Sequence, residues 1–155
     1  GDNFNFYFEK SGSTKGAGVN GEKDDKYYLA GMLLKAGSDE KYQVIYKNAN
    51  DVYTKLDDVK AFLDQTDLAG CYETVDVSGE DGEVNFNGAA TKKVKDLKEA
   101  YVLKNTDAAK SAAAKYILVN TSGSVVDKKS KSKDGDDYVY VTDRNGVIQG
   151  IYVED

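Results

Sequence analysis

Phe4, Phe6 and Phe8 occupy alternate positions ahead of Ser11-Gly12, the period of a strand with one buried face. Over 19–37 a polar turn region leads into Tyr27-Tyr28-Leu29 and breaks at Ala30-Gly31, and KYQVIY at 41–46 reads as another strand. The period then changes. Val52, Leu56, Val59 and Leu63 are spaced by four, three and four, which predicts an amphipathic helix over 51–67 capped by Asn50 or Asp51. Alternation resumes in CYETVDV at 71–77, and SGEDGEVNFNG supplies turns around a short Val84 to Phe86 strand. Val94, Leu97 and Tyr101 share one stripe and predict a second helix over 91–104. Thr106 caps a third, alanine-rich helix that runs through Lys115. YILVNTSGSVV and YVYVTDRNGVIQGIYV then return to apolar runs cut by compact turns.

These periods predict an α+β fold that is mainly β. Consecutive antiparallel hairpins, repeat-like in pattern, are expected over 1–48 and 115–155, with a helix-containing mixed insertion over 49–114, the three packed as one unit. A chain of 155 residues is long enough for one such domain. It has fifteen glycines and no proline, so Gly, Asn, Asp and Ser must make its turns.

Three stretches superimpose on their turn glycines: FYFEKSG ending at Gly12, ILVNTSG at Gly123 and YVTDRNG at Gly146. Phe6, Ile117 and Tyr140 stand six residues before those glycines, and KYYLAG, ending at Gly31, is a looser fourth member. A single hairpin is marginal in water, which gives several of them a reason to associate. Together, KYYLAGMLLKAG at 26–37, KYILVNTSG at 115–123 and DGDDYVYVTDRNGVIQG at 134–150 resemble degenerate members of the cell-wall-binding or glucan-binding repeat family of bacterial surface proteins.

The resemblance covers the two ends of the chain and implies a non-catalytic extracellular or cell-surface module. Such a module binds cell-wall or glucan-type polysaccharide through aromatic hairpin faces, or serves as a surface spacer. Carried onto this sequence, it makes Tyr27, Tyr28, Tyr116, Tyr138 and Tyr140 the glycan-binding candidates and Gly12, Gly31, Gly123 and Gly146 the repeat turns. The family's choline cages are built largely from tryptophan, and this chain has none; its ring faces are those of twelve tyrosines and five phenylalanines.

Composition narrows the chemistry. With 21 basic and 27 acidic side chains the formal charge is −6, and the lysines at 92–98 and 128–133 are interleaved with or bordered by aspartates, so nucleic acid is not an expected partner. The absence of histidine removes Ser/His/Asp and Cys/His catalysis. Cys71 reads as a small core side chain. Asp134, Asp136 and Asp137 are weak metal-ligand candidates, because DGDDYVYVTD lacks the ligand order, sixth-position glycine and closing glutamate of a calcium loop. They read as a solvated hairpin rim, with Asp143 capping the Asn145-Gly146 turn. No metal, cofactor or catalytic residue is expected.

The second functional reading is a structural or protein-interaction domain that meets another surface protein through the central helices, with Lys92, Lys93, Lys95 and Lys98 facing an acidic partner. A carboxylate-dependent glycan-acting enzyme is the third. Apolar runs such as YYLAGMLL fall short of a membrane span, so no membrane insertion is expected. A start at Gly1 with no leader suits a processed or excised piece.

Overall fold

The computed structural model describes residues 20–56, 59–126, 131–133 and 138–155; the Phe4–Phe8 strand, the Gly12 turn and Asp134, Asp136 and Asp137 lie outside the described residues. Within them the protein is α+β and mainly β. In chain order the elements are β1 (Gly21–Lys23), β2 (Lys26–Leu29), β3 (Met32–Leu33), β4 (Gln43–Lys47), β5 (Tyr53–Lys55), α1 (Val59–Leu63), β6 (Tyr72–Thr74), β7 (Glu83–Asn85), β8 (Thr91–Lys93), β9 (Leu97–Leu103), α2 (Asp107–Ala113), β10 (Tyr116–Val119), β11 (Lys131–Lys133), β12 (Tyr138–Thr142) and β13 (Ile148–Glu154). They form a meander β1-β2-β3, a sheet β10-β4-β5, a hairpin β7-β8 and a five-stranded sheet β11-β12-β13-β9-β6, with every pair antiparallel.

Three hairpin turns share one hydrogen-bonded form. Asn48 Oδ1 accepts from the amides of Asn50 (2.9 Å) and Val52 (3.2 Å), Asn120 Oδ1 from Ser122 (2.9 Å) and Ser124 (3.0 Å), and Asp143 Oδ1 from Asn145 (2.8 Å) and Val147 (3.0 Å). In each, the fourth residue is left-handed: Asp51 at φ 59°, Gly123 at 76° and Gly146 at 78°. A short side-chain acceptor at the first position thus ties down the two amides that the turn exposes. The Asp24-Asp25 and Ala30-Gly31 turns of the meander are instead of the two-residue kind with both central residues at positive φ, which matches the twist of the strands they join.

The five-stranded sheet is covered on both faces. On one, Tyr140 and Ile151 pack with Val44 and Leu118 of the β10-β4-β5 sheet and with Phe62 and Leu68 around α1. On the other, Val139, Val141, Ala100 and Tyr152 meet Val84 and Phe86 of the β7-β8 hairpin. Gly150 makes the second contact possible: a Cβ there would run into the Phe86 ring and lie 2.6 Å from the Tyr101 carbonyl oxygen. The sheets cross the boundaries drawn at 48/49 and 114/115, since β4 pairs with β10 and β9 with β13. Of the strands from the middle of the chain, β9 is interior to the five-stranded sheet, whereas β5 and β6 are edge strands.

Two helices expected from periodicity are corrected. Residues 53–55 form β5, paired with β4 through Ile45↔Lys55 and Lys47↔Tyr53; among the described residues the α-helix is only Val59–Leu63, followed by a 3₁₀ turn at Thr66–Leu68. Asn50 and Asp51 are turn residues rather than caps, because the left-handed Asp51 closes the β4-β5 hairpin before any helix begins. Over 91–104, β8, a 3₁₀ turn at Val94–Asp96 and β9 replace the helix. β9 lies between β13 and β6 in a sheet covered on both faces, so apolar residues fall on both its sides and the period of two is lost. The third helix, α2, stands with Thr106 as its cap, the Thr106 Oγ1 accepting from Ala109 N at 3.1 Å, and it seats Ala109 and Ala113 against Leu103.

Candidate functional site

The sheet register puts Tyr72 and Thr74 of β6, Glu99 and Tyr101 of β9, and Tyr138 and Tyr140 of β12 on a single face, because residues two apart share a face and Thr74, Tyr101, Ile151 and Tyr140 lie opposite one another in a row. The core covers the Tyr140 part of that face. Toward Tyr101 and Tyr138 the cover stops, and a groove of about 390 Å³ opens between the sheet and the segment from Leu63 to Gly70. Its sheet wall is Tyr72, Thr74, Tyr101 and Tyr138, and its other wall is Leu63, Asp64, Leu68, Ala69 and Gly70.

The three tyrosines are half-buried and pack against the edge of the core, and Tyr72 and Tyr101 are also tied by their hydroxyls. The Tyr72 hydroxyl donates to the Ile148 carbonyl oxygen at 2.7 Å, and its ring meets Phe62 edge-on at 5.3 Å. The Tyr101 hydroxyl donates to Glu99 Oε1 at 3.0 Å. Burial pushes both phenols above the ordinary tyrosine range, with the Glu99 carboxylate adding to the effect at Tyr101. The groove offers aromatic surface on a sheet face, with Asp64 and Thr74 exposed at its walls as polar groups.

The residues singled out from sequence are dispersed. Tyr138 lines the groove. Tyr116 and Tyr140 are 1% and 2% exposed and belong to the core, so their ring faces are closed to a ligand. Tyr116 stacks on Tyr46 at 5.3 Å and donates its hydroxyl to Asp67 Oδ1 at 2.5 Å; it fills the space between the two main sheets. Tyr27 is 8% exposed and packs on Tyr53 with ring centroids 4.6 Å apart. Burial, with help from the Glu22 carboxylate, pushes its phenol up to about 12. Tyr28 is half-buried on β2. Gly31 is the second left-handed residue of the β2-β3 turn, and Gly123 and Gly146 are turn residues as described above.

Tyr72 and Tyr101 were not singled out from sequence. Tyr101 falls at helical spacing in the sequence, and Tyr72 joins it only through the pairing of β6 with β9. Lys92, Lys93, Lys95 and Lys98 lie on β8, the 3₁₀ turn and β9 and so form no helical face; Lys92 packs over the Tyr152 ring at 5.5 Å and pairs with Glu154 at 3.7 Å. Cys71 is half-buried, its Sγ 3.8 Å from the Asp67 carbonyl oxygen.

A larger cleft of about 530 Å³ lies between the Asp24-Asp25 tip and the Arg144-Asn145 tip. Its walls are charged and polar residues of the turns and of β1 and β2, with Tyr27 and Val125 between them, and the Tyr27 ring is already packed on Tyr53. It lacks the aromatic surface that distinguishes the groove. Among the described residues no three Cys, Asp or Glu side chains are grouped to hold a metal ion, and no helix is long and apolar enough to cross a membrane. Comparison of the chain with protein-family models, curated proteins and solved structures finds no match.

Proposed function

We propose that this chain is a non-catalytic extracellular module of a bacterial surface that binds cell-wall or glucan-type polysaccharide in the groove of Tyr72, Tyr101 and Tyr138. The observation that carries the reading is the set of three tyrosines on one sheet face, left uncovered where the core ends. A sugar ring presents a flat C–H face to an aromatic ring and hydroxyls to nearby acceptors, and Asp64 and Thr74 supply the polar partners. The lack of histidine supports a binding role. So does the disposition of the carboxylates: Asp64 lines the groove while Glu99 accepts from the Tyr101 hydroxyl, whereas glycoside hydrolysis needs two carboxyl groups flanking one bond.

The test is co-sedimentation of the purified chain with insoluble cell-wall preparations, together with affinity electrophoresis in α- and β-glucan gels. Retention by one of them, weakened in Tyr101→Ala, is the expected result. Passage through all of them unretained would leave only the spacer role.

A further inference from the structure

A backbone nitrogen attacks the side-chain carbonyl carbon of a preceding Asp or Asn most readily when it belongs to glycine, whose missing side chain leaves the approach open. Asn87-Gly88, Asn145-Gly146 and Asp81-Gly82 are such pairs, and the fold treats them differently. At Asn87-Gly88 both reacting groups are held: the Gly88 N–H donates to Asn85 Oδ1 at 2.8 Å, and Asn87 Nδ2 donates to the Leu103 carbonyl oxygen at 3.0 Å and to Gln149 Oε1 at 3.1 Å. At Asn145-Gly146 the Gly146 N–H donates to the Asp143 carbonyl oxygen at 3.2 Å, and Gly146 is buried beside Val125.

Asp81-Gly82 has neither restraint. It lies in the irregular segment between β6 and β7 with both residues exposed, and among the described residues neither the Asp81 carboxylate nor the Gly82 N–H has a partner. A Cβ built on Gly82 would meet nothing within 4 Å, so the two groups have room to close.

We propose that Asp81 is a site of spontaneous isomerisation to isoaspartate in the folded protein. The Gly82 nitrogen bonds to Asp81 Cγ, and the amide proton leaves as water with the hydroxyl of the protonated carboxyl, closing a succinimide ring. Water then opens the ring. Where it breaks the bond from the Asp81 main-chain carbonyl carbon to the Gly82 nitrogen, a proton returns to that nitrogen and the chain runs on through Cγ as isoaspartate; where it breaks the new bond, aspartate is restored. Isoaspartate lengthens the main chain by one carbon directly ahead of Gly82, whose carbonyl oxygen accepts from Val94 N at 3.1 Å and continues the β7-β8 ladder. The change therefore loosens the hairpin whose Val84 and Phe86 cover the five-stranded sheet.

The experiment is peptide mapping of the whole folded chain as it ages in neutral and in mildly acidic buffer, each conversion rate being divided by that of a free peptide of the same local sequence. Asp81 should convert at close to its peptide rate, whereas Asn87 and Asn145 should run about fivefold or more below theirs, because hydrogen bonds must break first. In the isolated isoaspartate form, hydrogen exchange at the Val94 amide should quicken about fivefold. Asp81→Glu, which must close a larger and slower-forming ring, should remove the product.

An Asp81 rate about fivefold or more below that of its peptide would overturn the proposal, since the fold would then protect this pair as well. Isoaspartate persisting in Asp81→Glu would overturn it too, by placing the product at another residue. Conversion of Asn87 and Asn145 at their peptide rates would remove the contrast on which the assignment rests.

Discussion

The Tyr116 hydroxyl donates to Asp67 Oδ1 at 2.5 Å, joining the first residue of β10 to the 3₁₀ turn after α1. The ring is packed between Tyr46 and Phe62, so it is a structural tyrosine. Tyr116→Phe should lower unfolding stability by about 1 to 2 kcal/mol, since a hydrogen bond to a carboxylate is lost while Asp67 keeps its access to water. Denaturant melts measure this. Polysaccharide retention by the variant should match wild type, in contrast to Tyr101→Ala.

Gly150 tests the packing of the two layers. Gly150→Ala places a methyl group against the Phe86 ring and the Tyr101 carbonyl, and β13 is hydrogen-bonded on both sides and has no freedom to move away. A loss of about 1 to 3 kcal/mol is expected, read as a lower denaturation midpoint with an unchanged slope.

The left-handed turn positions predict substitutions in the opposite direction. Asp51 and Ala30 hold φ 59° and 51° without being glycine. Asp51→Gly and Ala30→Gly should therefore be neutral or should stabilise by up to about 1 kcal/mol, relief of left-handed strain offsetting the added freedom of the unfolded chain. Gly146→Ala should destabilise, because its Cβ would lie 2.5 Å from Val125 Cγ1 at a φ of 78°.

The buried phenols set the alkaline limit of the fold. Tyr27 is raised from 10.0 to about 12 by burial and by Glu22, so between those values the unfolded chain gives up this proton and the folded one retains it. The stability contributed by the neutral phenol is complete below pH 10 and is lost as the pH climbs through about 12. Absorbance titration should show a class of tyrosines that ionise late, with unfolding following, and Tyr27→Phe should reduce the slope of stability against pH in that window.

How much of this was legible follows from what surrounds each residue. β4, β10 and the β12-β13 hairpin were readable because their apolar runs end in turns with local chemistry, and Asp143 could be assigned its capping role from DRNG alone. The matching turn at Asn48 was missed because Asp51, not glycine, takes the left-handed place. β5 and β9 were hidden for a different reason: Val52, Leu56, Leu97 and Tyr101 fall at helical spacing, and only pairing with β4 and β13 makes their segments strands. For β9, the run Tyr101-Val102-Leu103, aromatic and β-branched, was the available signal. Of the groove, Tyr138 could be named from its hairpin, but Tyr72 and Tyr101 meet it through pairings remote in sequence, which no local pattern records.

The location of the binding surface is the central claim, and amide chemical-shift mapping during titration with the best-retained oligosaccharide tests it most directly. The shifts should concentrate in residues 63–74 and around Tyr101 and Tyr138, leaving the Asp24-Asp25 and Arg144-Asn145 tips still. Saturable shifts confined to those tips, with the amides around Tyr101 unmoved, would contradict the account.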